Sequence, residues 1–291
     1  MTDLTVSHTS SVTPDQIDHL GHMNVRFYHL NARAGTREML RRLGIADPAA
    51  APVVDIYTRH HHEQMEGNNL EVRSGVVGLA DGHIRLFHEL RNADDNDLAA
   101  TFIHKVRYSG AVNETGPVVD VPDYGATRSI DLTTDPVASA PRLETIRELG
   151  LAIRKDRVVT SEECEDGDRV TPHMVTSLIW GGEPASGGEM QFHHEGPNGE
   201  KMGWATMETR VGVQQYPAKG THIQSFSAVI GIANKTTQHI MWCFDLDTEE
   251  LIVSFEVVNL AFDIGARRAM PIPDDMRAQE QARYHPELAP A

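Results

Sequence analysis

Between Asn24 and Leu43 the chain carries no proline, and its apolar residues keep a helical rhythm. Val25, Tyr28, Ala32, Met39 and Leu43 fall at steps of three, four, seven and four, one face of a 3.6-residue period. Arg26, Arg33, Arg37 and Arg41 recur at steps of seven, four and four on the opposite face. Gly44, just past the last apolar position, is a natural stop. The pattern predicts an amphipathic helix. Four long β-like runs follow, at 53–64, 70–79, 83–91 and 98–108, divided by Gly67-Asn-Asn69, Asp81-Gly82 and Asp94-Asp-Asn-Asp97. Links this short join neighbours as hairpins, so the sheet is expected to be antiparallel. Runs longer than a typical strand suit a strongly curved sheet. With a short strand before Asp15, the first half reads as strand, helix, then four strands.

From 109 to about 149 the pattern dissolves into Gly, Pro, Asp, Thr and Ser, with one short helix expected at 143–149. The layout then returns. A strand is expected at 157–164, a turn at 165–168, and a helical stretch capped by Thr171 and reaching Trp180. A glycine-rich loop spans 181–201, and four more runs lie at 202–216, 222–233, 238–246 and 251–262. The last strands of the two halves start 153 positions apart, and the turns at Asp18 and Asp166 lie 148 apart. Two similar units in tandem are predicted. Their expected extents are 1–110 and 151–270, with a linker at 111–150 and a tail at 271–291. The charged stretch from Asp263 onward is expected to pack little.

A chain of 291 residues, 40% hydrophobic and 23% charged, has the composition of a soluble globular protein. No apolar run approaches the roughly 18 residues of a membrane span. The polar opening residues lack a cationic start and an apolar core, so no secretory signal is expected. Cys164 and Cys243 are too few for a disulfide framework and read as reduced, packed thiols, which implies a cytoplasmic location. A net charge of −16 excludes a nucleic-acid-binding surface as the chain's main business. It leaves room for local arginines to meet a phosphorylated ligand. The helix stripe is a candidate for that role, against the plainer reading of a solvated face.

Chemistry concentrates at the mouth of the predicted helix. Asp18-His-Leu-Gly21-His22-Met23-Asn24 sets a carboxylate, a glycine, an imidazole and a carboxamide within seven residues. Free N–H groups and the helix dipole favour negative charge there. Taken singly, Asp18 and Asn24 are ordinary cap and turn residues. The run His60-His61-His62-Glu63 suggests a metal, but strand alternation sends His60 and His62 away from His61 and Glu63. A role in structure or at a pocket rim is the better reading. Gly181-Gly-Glu-Pro-Ala-Ser-Gly-Gly188 lacks the lysine and spacing of a phosphate loop.

The stretch from Asp18 to Tyr28 resembles the opening segment of the acyl-CoA and acyl-ACP thioesterases of the hotdog fold. Those enzymes read Asp-x-x-Gly-His-Val-Asn-Asn followed by a tyrosine. Further likeness runs through His61, His62 and Gly67, and through His88-Glu89-Leu90. The tandem layout is similar to double-hotdog members. Two positions depart: Val25 stands where the second Asn belongs, and Asp166-Gly-Asp168-Arg-Val-Thr-Pro172 lacks the Gly-His-x-Asn set.

The resemblance implies an α+β double hotdog that hydrolyses an acyl-CoA or acyl-carrier thioester without cofactor or metal. Asp18 would be general base or nucleophile, with His22 and Asn24 supporting it. The backbone at Gly21 and Met23 would stabilise the oxyanion. It implies one site per chain, with Asp166, Asp168 and His173 as residual candidates for a second. It leaves a homodimer open and gives no role to nucleic acid or membrane. The alternatives are a hotdog enoyl-CoA hydratase or dehydratase, and a non-catalytic acyl-CoA-binding module. The hydratase branch sets Asp and His five apart with Asn-Pro between them. Here Asp18 and His22 are four apart and no such pair occurs.

Overall fold

In the computed structural model, the described residues are 4–18, 21–45, 47, 51–113, 118–164, 167–179, 194–195 and 201–290. The chain divides into two compact units, Met1–Arg128 and Ser129–Ala291.

The first unit begins with β1 (Thr5–Ser11) and a 3-10 turn at Pro14–Gln16, then enters α1 (Val25–Arg42). Strands β2 (Val53–His60), β3 (Asn69–Ala80), β4 (His83–Asn92) and β5 (Leu98–Arg107) follow. They pair antiparallel in the order β1-β3-β4-β5-β2. Helix α1 lies on one face, against β1, β3, β4 and β5.

The helix starts where Asn24, in extended backbone, caps it by accepting the Arg26 N–H at 3.1 Å. It ends at Gly44, whose φ of +83° few other residues tolerate. Near its N-terminal end Tyr28 and Ala32 pack with Met23, Leu70, Val72, Leu90, Ala100 and Phe102. Burying side chains the size of Leu90 or Phe102 stabilises by about 1.5–3 kcal/mol each.

The buried helix face also carries Met39 and Leu40, and polar groups lie between its apolar residues. Ser7 and Ser74 hydroxyls meet at 2.6 Å, and Ser74 Oγ lies 2.6 Å from His88 Nδ1. Thr36 Oγ1 then joins His88 Nε2 at 3.0 Å to His104 Nδ1 at 2.8 Å. Since Thr36 has one proton, it donates to one ring and accepts from the other. Burial holds His88 down at about 3 and His104 well below its ordinary value, so both rings are neutral.

Part of the stretch expected to be a linker is instead packed onto the other face of this sheet. Val119 N–H donates to Val76 O at 2.8 Å, and Arg59 donates to Ala126 O at 2.9 Å. Tyr124 donates to the buried Glu89, which also accepts from Arg91 at 2.6 Å.

The second unit holds α2 (Leu143–Glu148), β6 (Ala152–Val158), β7 (His194–Glu195), β8 (Lys201–Val213), β9 (His222–Ile232), β10 (Thr236–Asp245), β11 (Leu251–Asp263), β12 (Arg268–Ala269) and α3 (Asp274–Gln281). Its long strands pair in the order β6-β9-β10-β11-β8, while β7 pairs with β8 and β12 with β11. Leaving out the two-residue strands, the ranks read 1-3-4-5-2 in both units.

Three expectations change here. The strand expected at 157–164 starts earlier and stops at Val158, because Thr160 and Glu163 cap a 3-10 turn over Ser161–Glu163. The helical stretch after Thr171 is a 3-10 segment, Pro172–Leu178, with Trp180 outside the described residues. The tail does pack: Tyr284 bridges Val229 in parallel, and His285 N–H donates to Val229 O at 2.7 Å. The glycine-rich string 181–188 lies outside the described residues. Among the described residues no helix is long and apolar enough to cross a membrane.

Candidate active site

The segment before α1 is a closed loop. Ile17 and Met23 form an antiparallel bridge, Asp18 N–H donates to His22 O at 2.9 Å, and Gly21 N–H donates to Asp18 O at 3.0 Å. Gly21, with φ of +84°, allows the reversal. Met23 N–H donates to Gln64 O at 2.7 Å and Asn24 N–H to Gln16 O at 2.9 Å, so the loop is tied to the chain beyond β2.

This closure brings Asp18 and His22 together, with His22 Nδ1 3.5 Å from Asp18 Oδ2. The other ring nitrogen, Nε2, lies 3.7 Å from Glu63 Oε1. His22 therefore stands between two carboxylates at a helix N-terminus. Asp18 is 16% exposed, His22 21% and Glu63 38%, so a ligand can reach all three.

Tyr28 supports the arrangement from below. Its hydroxyl donates to His62 O at 3.2 Å and accepts the Gln64 N–H at 3.0 Å, fixing both neighbours of Glu63 to α1. Burial, with the charges of Glu63 and Asp18 adding to it, raises the phenol above its ordinary range, while the Gln64 amide opposes the shift. It stays protonated and neutral.

The remaining expected site residues fall into two sets. Asn24 sits beside the cluster, with its carboxamide oxygen occupied as the helix cap. The Gly21 and Met23 amides, expected as oxyanion donors, are both engaged by backbone carbonyls, and the Met23 side chain is core at 1% exposure. Among the described residues, the amides of His22 and Val25 have no backbone carbonyl partner outside the helix.

Glu63 is the residue that strand alternation misplaced. β2 ends at His60, so the two-residue period does not carry on to Glu63. The four residues of the His-rich run point to different surroundings. His60 stacks edge-on to Tyr28 with centroids 5.4 Å apart, and burial lowers it to about 3. His62 is exposed and lies 3.5 Å from Asp97.

The second unit repeats the loop frame without its chemistry. Thr13 and Gln16 form a capping box before the first loop, and Thr160 and Glu163 form one before the second. Val170 N–H donates to Pro217 O at 2.9 Å and Thr171 N–H to Glu163 O at 3.1 Å, as Met23 and Asn24 do to Gln64 and Gln16. The offset is 147 rather than 148, so Gly21, His22 and Asn24 correspond to Asp168, Arg169 and Thr171. Asp166 lies outside the described residues, Asp168 is exposed, and His173 Nδ1 lies 3.0 Å from Thr171 Oγ1. A separate open cleft of about 510 Å³ is lined wholly by second-unit residues, Leu143, Phe244 and Arg142 among them. It holds none of the expected catalytic residues.

Residues 12–124 match the thioesterase-like superfamily, nearly the whole of the first unit. Among solved structures, a putative oleoyl thioesterase from Lactobacillus plantarum superposes with a TM-score of 0.63 at 10% identity, covering 93% of this chain and 98% of that one. An acyl-ACP thioesterase from Bacteroides thetaiotaomicron gives 0.59 at 7%, covering 87% and 96%. The 12:0-ACP thioesterase from Umbellularia californica gives 0.59 at 9%, covering 87% and 93%. No protein of curated function matches the sequence. Likeness at these identities establishes the hotdog fold. Asp18 and His22 lie in the loop that carries the likeness to that superfamily, and Glu63 meets His22 from the segment after β2.

Proposed function

We propose that the chain hydrolyses acyl thioesters to free acid and thiol at a single site in the first unit, and that the whole chain is a tandem double hotdog. The observation that carries the first part is His22 held between the Asp18 and Glu63 carboxylates at the entry of α1. The equal strand order and the repeated loop frame support the second part.

The thioester carbonyl sits at the start of α1, where unengaged amides and the helix dipole favour the oxyanion. Asp18 takes a proton from water as the water attacks the carbonyl carbon. His22, held between Asp18 and Glu63, fixes the carboxylate's direction. The tetrahedral intermediate collapses with loss of the C–S bond, and the proton held at Asp18 passes to the departing thiolate. Direct attack by Asp18 through an anhydride uses the same residues. Glu63 is a positioning residue in either case. The second loop, with Arg169 where His22 stands and its guanidinium donating to Tyr216 O at 2.7 Å, frames the molecule without performing the reaction.

The test is Asp18→Asn, which keeps the size of the side chain. It should lower kcat by roughly 10²- to 10⁴-fold, the range for a lost acid–base group. KM and melting temperature should change little. A fully active, fully stable Asp18→Asn enzyme would refute the assignment.

A further inference from the structure

From the polar atoms buried along β2 we infer that the acyl group is an extended, hydroxylated chain whose hydroxyls bind beside that strand. This rests on the thioesterase reading and names the substrate class of that same site.

Four buried side-chain atoms of the first unit have no hydrogen-bond partner among the described residues: Gln64 Oε1, His60 Nε2, Thr58 Oγ1 and His104 Nε2. They follow one another away from the candidate active site. Gln64 is 2% exposed, and its backbone N–H and carbonyl meet the Tyr28 hydroxyl and the Met23 N–H. Its Nε2 donates to Glu63 O at 3.0 Å, which fixes the carboxamide and leaves Oε1 as the open acceptor. His60 comes next, edge-on to Tyr28. Alternation puts Thr58 on the same face of β2, and the register sets Ile56 of that face opposite His104. From His60 to Ile56 the row spans about 13 Å at 3.3 Å per residue. Beside it lies an apolar wall, since Ala100 and Phe102, opposite His60 and Thr58, belong to the core around Tyr28 and Ala32.

Buried polar atoms are almost always paired, so four in succession without a protein partner point to a ligand that pairs them. Their chemistry narrows what that ligand carries. Gln64 Oε1 requires a donor, which a ketone or ester oxygen cannot supply. Thr36 holds His104 at Nδ1, so His104 Nε2 accepts or donates according to its tautomer. A hydroxyl both donates and accepts, and answers each of the four atoms. The imidazoles do not converge on a cation: among the described residues no three His, Cys, Asp or Glu side chains are placed to hold a metal ion. A hydroxyaryl ring would meet one position and leave the rest unpaired, whereas an extended chain passes them in turn. Tyr28, against which His60 packs, lies one turn of helix, about 5.4 Å, from the entry where the thioester carbonyl sits. The first hydroxyl therefore belongs a few carbons along the chain.

The experiment follows three kinds of coenzyme A thioester: octanoyl, a hydroxybenzoyl, and octanoyl chains bearing one hydroxyl at each position from the third carbon to the last. Wild type, Thr58→Val and His60→Phe are assayed, with a melting curve for each. For wild type, at least one mid-chain hydroxyl should raise kcat/KM roughly tenfold or more over octanoyl, because a site built to hydrogen-bond a hydroxyl rejects the chain without it. Thr58→Val keeps the side-chain shape and His60→Phe keeps a ring against Tyr28, and each should bring that ratio several-fold down toward one. The ratio compares two substrates on one enzyme, so a general loss of activity leaves it unmoved.

If wild type hydrolyses octanoyl as fast as every hydroxylated chain, the proposal is overturned, the row belongs to bound water, and the thioesterase reading stands. A ratio preserved in both variants would overturn it as well, as would a preference for hydroxybenzoyl over every chain. Failure of wild type on all the thioesters would instead strike the thioesterase reading, and the proposal with it.

Discussion

Lowering the pH should unfold the first unit from inside, and the structure sets the size of the effect. His88 and His104 are 0% and 3% exposed and linked through Thr36, and His60 is enclosed against Tyr28. Burial brings His88 and His60 down to about 3 and His104 well below the ordinary value near 6.5. The sign follows from which state binds protons. Above about pH 6.5 both folded and unfolded rings are neutral, and the stability is fully present. Below it the unfolded chain takes up protons that the folded one refuses, so stability falls as pH drops from about 6.5 toward about 3.

Each ring contributes about 1.4 kcal/mol per pH unit in that window. At pH 5.0 that is about 2 kcal/mol per histidine and roughly 6 kcal/mol for three, an upper bound comparable to the whole stability of many domains. His61 and His239, lowered to about 4, act in the same direction. Glu256 and Glu280, raised by burial, act in the opposite one.

The assay is urea unfolding at half-unit steps from pH 7.5 to 5.0, read by fluorescence. The unfolding free energy should fall with a slope of two or more protons per molecule. His88→Gln should reduce that slope by about one. A slope below one proton would show that these rings are already charged in the fold, and the buried polar chain would need another explanation.

Three further outcomes follow from the geometry. Tyr28→Phe strands the His62 carbonyl and the Gln64 amide, and should cost about 1–3 kcal/mol. By loosening Glu63 it should also lower kcat about ten- to a hundredfold; unchanged melting temperature and kcat would remove Tyr28 from the support of the site. At Gly35, an added Cβ would stand 2.8 Å from Val72 Cγ1 and 2.9 Å from Ser7 Oγ. The helix-propensity gain of Gly35→Ala, about 1 kcal/mol, should therefore lose to overpacking of about 1–3 kcal/mol, visible as a lower melting temperature. Burial pushes Cys243 up to about 12 and raises Cys164, so a thiol reagent should label neither quickly in the native protein and both in denaturant. Rapid native labelling would contradict the packing.

Local pattern determined more of this protein than its low likeness to solved relatives would suggest. α1 was legible because its apolar residues keep a 3.6-residue period and its start carries Asn24. The four strands of the first unit were legible because Gly67, Asp81-Gly82 and Asp94–Asp97 interrupt them. The motif from Asp18 to Asn24 marked the site for the same reason: its members are sequence neighbours.

What only the tertiary structure decided involves partners far apart in the chain. Glu63 reaches His22 because Tyr28, 36 residues before Gln64, holds that segment after β2 has ended. The loop amides of Gly21 and Met23 look available in sequence and are engaged in space, one by Asp18 O and one by the distant Gln64 O. Ser7, Thr36, Ser74, His88 and His104 each break the apolar pattern singly, and only folding sets them in one hydrogen-bonded line. Periodicity reports which face of an element is buried. It carries no information on which polar side chains will meet there, because that is fixed by strand register and helix placement across 14 to 68 residues of chain.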